Sequence, residues 1–309
     1  MTEQQPWYVQ RERGSALGMK IVVWVALGLG RAVVRVLLAT IVFYYSAFFA
    51  SARRASHAFL RRATHRNTGF WQVYQHFFCF AQVTVDRLYF LNNRWRYFSV
   101  EVQGREHIDK HLDKGNGCLL LMSHFGSFDI VRALGREQGN VRAKVLMDRA
   151  YAAKAMSLIN AVNADMADDI VDVEQPPAQL MLKLQEFLAD GEMVGVMADR
   201  VHKSERVFQH EFLAGQAQWP AGLWQMAAAL KIPVLACFGV YRGTKNGTAH
   251  YTIFFEPIAD SSNLARKDRN TWMQSAHSQY VDVLETKARS FPYNWFNFYD
   301  YWVPDGTED

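Results

Sequence analysis

Between residues 97 and 256 the chain repeats one pattern: a short, nearly continuous apolar run, then a stretch with helical spacing. The runs are 97–103 "YFSVEVQ", 117–122 "GCLLLM", 142–147 "RAKVLM", 169–173 "DIVDV", 192–198 "EMVGVMA", 232–240 "IPVLACFGV" and 249–256 "AHYTIFFE". Helical spacing fills 127–138, 151–164, 177–190 and 219–230, and a last helix is predicted over 268–289. Strands that are apolar on both faces must be covered on both faces. The pattern therefore predicts an α/β fold: a mixed, mainly parallel sheet flanked by helices on both faces. In such sheets active sites lie beyond the carboxyl ends of the strands. No Pro- or Gly-rich linker divides the region, so it reads as one domain.

The N-terminal part has another character. Residues 1–70 hold ten Lys or Arg against two acids, Glu3 and Glu12, while the rest of the chain holds 24 against 28. This basic part is also very apolar: "ALGMKIVVWVALGLGRAVVRVLLATIVFYYSAFFA" from Ala16 to Ala50 has neither Pro nor acid. Basic and apolar together point to anionic lipid and away from nucleic acid. The apolar stretch is too long for a cleavable signal peptide. Two arrangements fit it. A tilted membrane-spanning helix would let Arg31 and Arg35 snorkel toward the interface; alternatively, the segment bends near "GLGR" and forms a re-entrant hairpin or an in-plane anchor. The basic residues Arg53, Arg54, Arg61, Arg62 and Arg66 just after it place the following domain in the cytoplasm, and the expected location is the cell inner membrane with the catalytic domain on its cytoplasmic face. The expected division is a membrane anchor and basic helix over 1–66, with the catalytic domain over 67–309. A further apolar helix is expected over 69–92.

Cys79, Cys118 and Cys237 are widely spaced in apolar surroundings and read as buried free thiols in a reducing compartment. No zinc motif occurs. The chemistry concentrates in "LLLMSHFGSFDI", Leu119–Ile130, where an apolar strand stops at Ser123-His124. The spacing from His124 to Asp129 is weak evidence alone. Ten histidines and 30 acids in 309 residues give roughly one chance match, and His277/Asp282 also has it. That second pair lies inside a predicted continuous helix, where positions five apart diverge by about 140°, so it reads as ordinary helix surface. His124 lies at a strand-to-helix junction, where Gly126 permits a tight turn and Ser127 is a plausible N-cap. Asp129 can then fold back onto one imidazole nitrogen and leave the other to take a proton. No nucleophile-elbow motif (G-x-S-x-G) is present, so His124 is expected to activate an external hydroxyl directly, without an acyl-enzyme.

Around this block the sequence resembles the lysophospholipid acyltransferase superfamily, and within it the bacterial lipid A biosynthesis (lauroyl/myristoyl) acyltransferases. "MSHFGSFD" is similar to the family's His-x4-Asp/Glu block. "GEMVGVMADR", Gly191–Arg200, is similar to its strand ending in an acid and a polar residue. "FLAGQAQWPAGLWQMAAALKIPV", Phe212–Val234, is similar to the block that follows. Ser123 stands where Asn is common in that family, and Asp129 where Glu is common. The resemblance implies transfer of a fatty acyl group from an acyl thioester, on acyl carrier protein or coenzyme A, to a hydroxyl or amine of a membrane lipid. It implies His124 as general base with Asp129 orienting it, and no metal or bound cofactor. Amides at the start of the Ser127 helix are candidate donors to the thioester oxyanion.

Ser127, Arg149, Asp199 and Arg200 are the candidate substrate-binding residues. Arg149 follows a strand and suits an anionic donor or head group, while Asp199 and Arg200 end one. Trp219, Trp224, Trp295 and Trp302 are each better explained by core packing than by an acyl surface. Lys144 and Lys154 can meet an acidic carrier, and Glu192 reads as solvated. Two other functions compete: a non-catalytic lipid-binding protein on the same fold, and a thioester or lipid hydrolase using His124 with water.

Overall fold

The structure is a computed structural model and describes residues 16–112, 115–137, 143–147, 169–201 and 206–303. In chain order the N-terminal helices are α1 (Ala16–Leu29), α2 (Arg31–Phe48), α3 (Ala50–Thr64) and α4 (Phe70–Leu91). The next elements are β1 (Phe98–Gln103), α5 (Arg105–Leu112), β2 (Leu119–Met122), α6 (Phe128–Glu137), β3 (Ala143–Met147) and β4 (Ile170–Asp172). They are followed by α7 (Pro177–Ala189), β5 (Met193–Met197), β6 (Val207–Glu211), β7 (Gln216–Pro220) and α8 (Gly222–Leu230). The chain then runs through β8 (Pro233–Lys245), β9 (Thr248–Asp260) and α9 (Arg269–Ser290). The expected helix over 151–164 lies outside the described residues.

All seven expected strands form one sheet, ordered β1-β9-β8-β2-β5-β3-β4. From β8 to β4 every neighbouring pair is parallel; β8 and β9 form an antiparallel hairpin, and β1 joins β9 in parallel. The tight end of that hairpin is Asn246-Gly247, both at positive φ (50° and 82°), the turn chemistry that matches strand twist. Alternation along β2 divides the core between the two faces. Leu119 and Leu121 pack with Val194, Val234 and Ala236 beneath α7, α8 and α9, whereas Cys118 and Leu120 pack with Met193, Leu235 and Cys237 beneath α5 and α6. Trp219, Trp224 and Trp295 are fully buried, and all three cysteines are buried and free.

Two short elements differ from the sequence expectation. Helix α5 is polar and brief, and residues 216–220, partly expected as the start of a helix, pair with 207–211 as a two-stranded ribbon. His277 also differs from its surface reading. It is buried beside Phe208 and Trp219, and burial lowers its pKa to about 3. Asp282 is exposed, so the two indeed face apart.

The apolar N-terminal segment breaks at Gly30, whose φ of 88° is costly for any residue with a Cβ. Beyond the break, α2 lays Val34, Leu38, Val42 and Ser46 along α4. Arg31 does not snorkel. Its side chain is 2% exposed, and its Nε and Nη2 donate to the two carboxylate oxygens of Asp86 on α4 at 2.7 and 2.9 Å. Nη1 reaches Thr244 Oγ1 at 3.1 Å, and Tyr251 Oη–H donates to Asp86 Oδ2 at 2.9 Å. A bidentate arginine is the geometry that makes a buried pair tolerable. Removing one partner from such a pair leaves a buried charge and costs about 3–5 kcal/mol. Arg31→Ala and Asp86→Ala should each lower the unfolding free energy by that order, read as a lower denaturant midpoint at unchanged slope. The joint Arg31→Met, Asp86→Leu variant should recover most of the loss in the same unfolding titration.

Candidate active site

Strands β2 and β5 are parallel neighbours, and Met122 lies opposite Met197 at their carboxyl ends. The pairing continues for one step, with Ala198 N–H donating to the Met122 carbonyl at 2.8 Å. The next residues of each strand are therefore brought side by side. His124 Nδ1 lies 2.8 Å from Asp199 Oδ1, and the His124 amide donates to Asp199 Oδ2 at 2.8 Å. The carboxylate is completely buried, whereas the imidazole side chain is 28% exposed. Burial opposes ionisation of Asp199, but His124, Arg200 and the Asn297 amide together hold its pKa below the ordinary carboxylate value. An ionised Asp199 fixes Nδ1 as the protonated nitrogen and leaves Nε2 as the basic one.

This corrects the expected pairing of His124 with Asp129. Asp129 sits in the first turn of α6, and its Oδ2 meets Arg87 Nε of α4 at 3.0 Å. The reason is the packing of α6 on α4. A carboxylate at that turn is favoured by the helix dipole in either arrangement, and α4 supplies the cation.

The turn between β2 and α6 is set by two glycines in contact. Gly126 has φ 65°, and a Cβ on it would lie 2.1 Å from the Gly239 carbonyl oxygen of β8; one on Gly239 would lie 2.0 Å from the Ser127 carbonyl oxygen. The amides of Gly126 and Ser127 donate to the carbonyls of Asn294 and Gly239, both at 2.7 Å. Those two amides are thus committed to the turn and are not oxyanion donors. Ser127 itself is buried within the turn.

The C-terminal segment 294–301 forms the other wall. Phe296 N–H donates to the His124 carbonyl at 2.6 Å. Asn297 Nδ2 donates to Asp199 Oδ2 at 2.9 Å, and Tyr301 Oη–H to the Asp199 carbonyl at 3.0 Å. Arg200 serves the same wall: Nε donates to Asn297 Oδ1 at 2.8 Å, and the guanidinium stands over Tyr299. A buried dyad holds the wall from behind. His76 Nε2–H donates to the Trp295 carbonyl at 2.7 Å, which leaves Nδ1 to accept from Ser56 at 2.8 Å; burial lowers the His76 pKa to about 4, so it stays neutral.

Of the expected site residues, the structure brings His124 and Asp199 into direct contact. Arg200 contacts the Asp199 wall, and Asp129 belongs to a second pair. Asp199 has no exposed surface. Arg149 lies outside the described residues, as does Lys154. Lys144 is held between Asp169 and Glu192 at 3.4 and 3.9 Å, so neither it nor Glu192 is a freely solvated charge. Sequence reasoning missed Arg87, Asn297 and Tyr301. Only the dense aromatic ending "PYNWFNFYDYW" pointed toward the last two. Among the described residues no group of three or more His, Cys, Asp or Glu side chains is placed to hold a metal ion.

A partly exposed histidine at the carboxyl end of a parallel strand, with a buried carboxylate on Nδ1, lies where sites form on α/β sheets and has the geometry that proton transfer requires. Residues 72–302 match the family model described as bacterial lipid A biosynthesis acyltransferase. The chain belongs to that family, and it is a lipid acyltransferase. No curated protein matches it.

This geometry makes Asn297 and Asp199 testable separately. Asn297→Leu should lower kcat by roughly tenfold with KM little changed, because about 1.5 kcal/mol is typical of one hydrogen bond to a charged group; steady-state kinetics reads the split. Because the Asp199 pKa is lower folded than unfolded, its contribution to stability is present above the unfolded value, about 3.9, and is lost as pH falls through the lower folded value. Acid-unfolding curves should show this loss in the wild type and not in Asp199→Asn.

Proposed function

We propose that this acyltransferase moves a fatty acyl group from an acyl thioester to a hydroxyl or amine of a membrane lipid, with His124 as general base. The donor is acyl carrier protein or coenzyme A, and no bound cofactor takes part. The observation that carries the reading is the 2.8 Å contact between His124 Nδ1 and the buried Asp199 carboxylate. Nε2 takes the proton from the acceptor hydroxyl as its oxygen attacks the thioester carbon. The C–S bond then breaks, and the imidazolium returns the proton to the leaving thiolate. Asp199 stabilises the imidazolium while it exists, without taking the proton itself. Asp129 acts elsewhere. Its pair with Arg87 ties the reacting turn to α4.

The enzyme works at the inner membrane from the cytoplasmic side, held there by residues 1–66 ahead of the catalytic domain over 67–309. Support comes from the acid-free N-terminal segment and from α2, which is long and apolar enough to cross a membrane.

His124→Ala should reduce acyl transfer by about 10²–10⁴-fold, the range of general-base catalysis, with the fold and membrane fraction unchanged. Asp199→Asn should fall within a factor of about ten of it, while Asp129→Asn should retain more activity than either. Mass spectrometry of the lipid products reads all three. Wild-type rates in His124→Ala would overturn the mechanism, and free fatty acid as the only product would assign a hydrolase instead.

A further inference from the structure

Among the described residues, three adjoining helices present one large apolar face that no other element covers. On α2 the residues opposite the buried stripe recur every three or four positions, and Val36 (71% exposed), Phe43, Tyr44 and Phe48 (70%) are the largest. Trp24 of α1 (66%) and Trp71 of α4 (63%) are exposed on the two helices that pack against α2. The surface is continuous at the α4 end, where Phe43 packs edge-on to Phe70 and Phe70 to Trp71. No acidic residue occurs between Glu12 and Asp86. Arg54, Arg61 and Arg66, exposed on α3 and just after it, add a cationic border. An apolar face with aromatic side chains and basic flanks is complementary to one leaflet of an anionic bilayer.

The same packing opposes a crossing. The stripe Val34, Leu38, Val42 and Ser46 is buried against α4 from the first turn of α2 to the last, and Tyr74 of α4 reaches the Ala39 carbonyl. A crossing α2 would take α4 with it. Helix α4 is bound in turn to α6 through Arg87–Asp129 and to the C-terminal wall through His76–Trp295. Polar surfaces of the sheet domain would then meet hydrocarbon, where unsatisfied groups are costly. Helix α1 cannot extend the span, since the chain breaks at Gly30 and α1 is held beside α4 by Tyr89 and Arg94, which donate to the Ala26 and Leu27 carbonyls at 2.7 and 2.9 Å.

We propose that α1 and α2 lie in the plane of a single leaflet, with Trp24, Val36, Phe43, Tyr44, Phe48 and Trp71 immersed, so that the enzyme is monotopic and its N-terminus stays on the same side as its catalytic domain. The inference rests on the membrane association proposed above and fixes its topology.

The full chain is tested in a bacterial host with an epitope behind an engineered protease site at Met1 and another at Asp309. Spheroplasts and inverted inner-membrane vesicles are treated with that protease. The expected result is a membrane-bound chain that loses both epitopes in inverted vesicles and neither in spheroplasts. Loss of the Met1 epitope in spheroplasts alone would establish a crossing and overturn the proposal while leaving membrane association intact. Recovery of the chain as a soluble monomer, or as a soluble dimer covering the same face, would overturn membrane association itself. The joint Val36→Asp, Tyr44→Asp variant changes only exposed positions. It should lose at least tenfold of its membrane-bound fraction with an unchanged circular dichroism spectrum, and full retention would show that this face is not the contact.

Discussion

The buried carboxylate of Asp199 is the point on which the site turns. A fully desolvated anion is tolerable only when several donors meet it. Here they come from three separate parts of the chain: the His124 amide and ring after β2, the Asn297 amide near the C-terminus, and the neighbouring Arg200 charge. Each donor is in turn fixed by something remote. The β2–β5 register brings the two strand ends level, and Ser56 with His76 steadies the segment that carries Asn297. The imidazole is therefore oriented by the arrangement of the whole sheet and its C-terminal wall, rather than by its neighbours in sequence.

The N-terminal helices are joined to this arrangement by the same kind of interaction. Arg31 and Asp86 form a buried pair at the chain break, and Thr244 and Tyr251 extend it to the β8–β9 hairpin. Helix α4 thus holds the apolar helices at Asp86 and the β2–α6 turn at Arg87, on consecutive residues. A displacement of α2 is felt one residue away from the cation that meets Asp129.

The sheet is legible in the sequence because each strand announces itself locally: a short apolar run bounded by polar or turn residues. The break at Gly30 is legible as one of two arrangements, since a glycine beside an arginine in an apolar run favours a bend. The partner of His124 is not. Asp129 is five residues away and Asp199 is in a different block, and only the strand order makes β2 and β5 neighbours. Both blocks stand out as strands ending in polar residues, but no local pattern says which two strand ends touch. Asn297 is hidden for a related reason, because its segment has no periodic element and is placed by long-range contacts. Helix α5 and the β6–β7 ribbon escape because short, polar elements have too few residues to show a period.

The contact between Gly126 and Gly239 bears on how this turn can change over time. A Cβ on Gly126 would run into the Gly239 carbonyl and one on Gly239 into the Ser127 carbonyl, so backbone excludes a side chain at both positions. Neither position accepts a side chain while these backbones stay in place, and a β2–α6 segment transplanted from another protein would fit only if the facing stretch of β8 came with it. The unit that is inherited or exchanged at this site is therefore a pair of strands about a hundred residues apart in sequence, held together by the space that two missing methyl groups leave open.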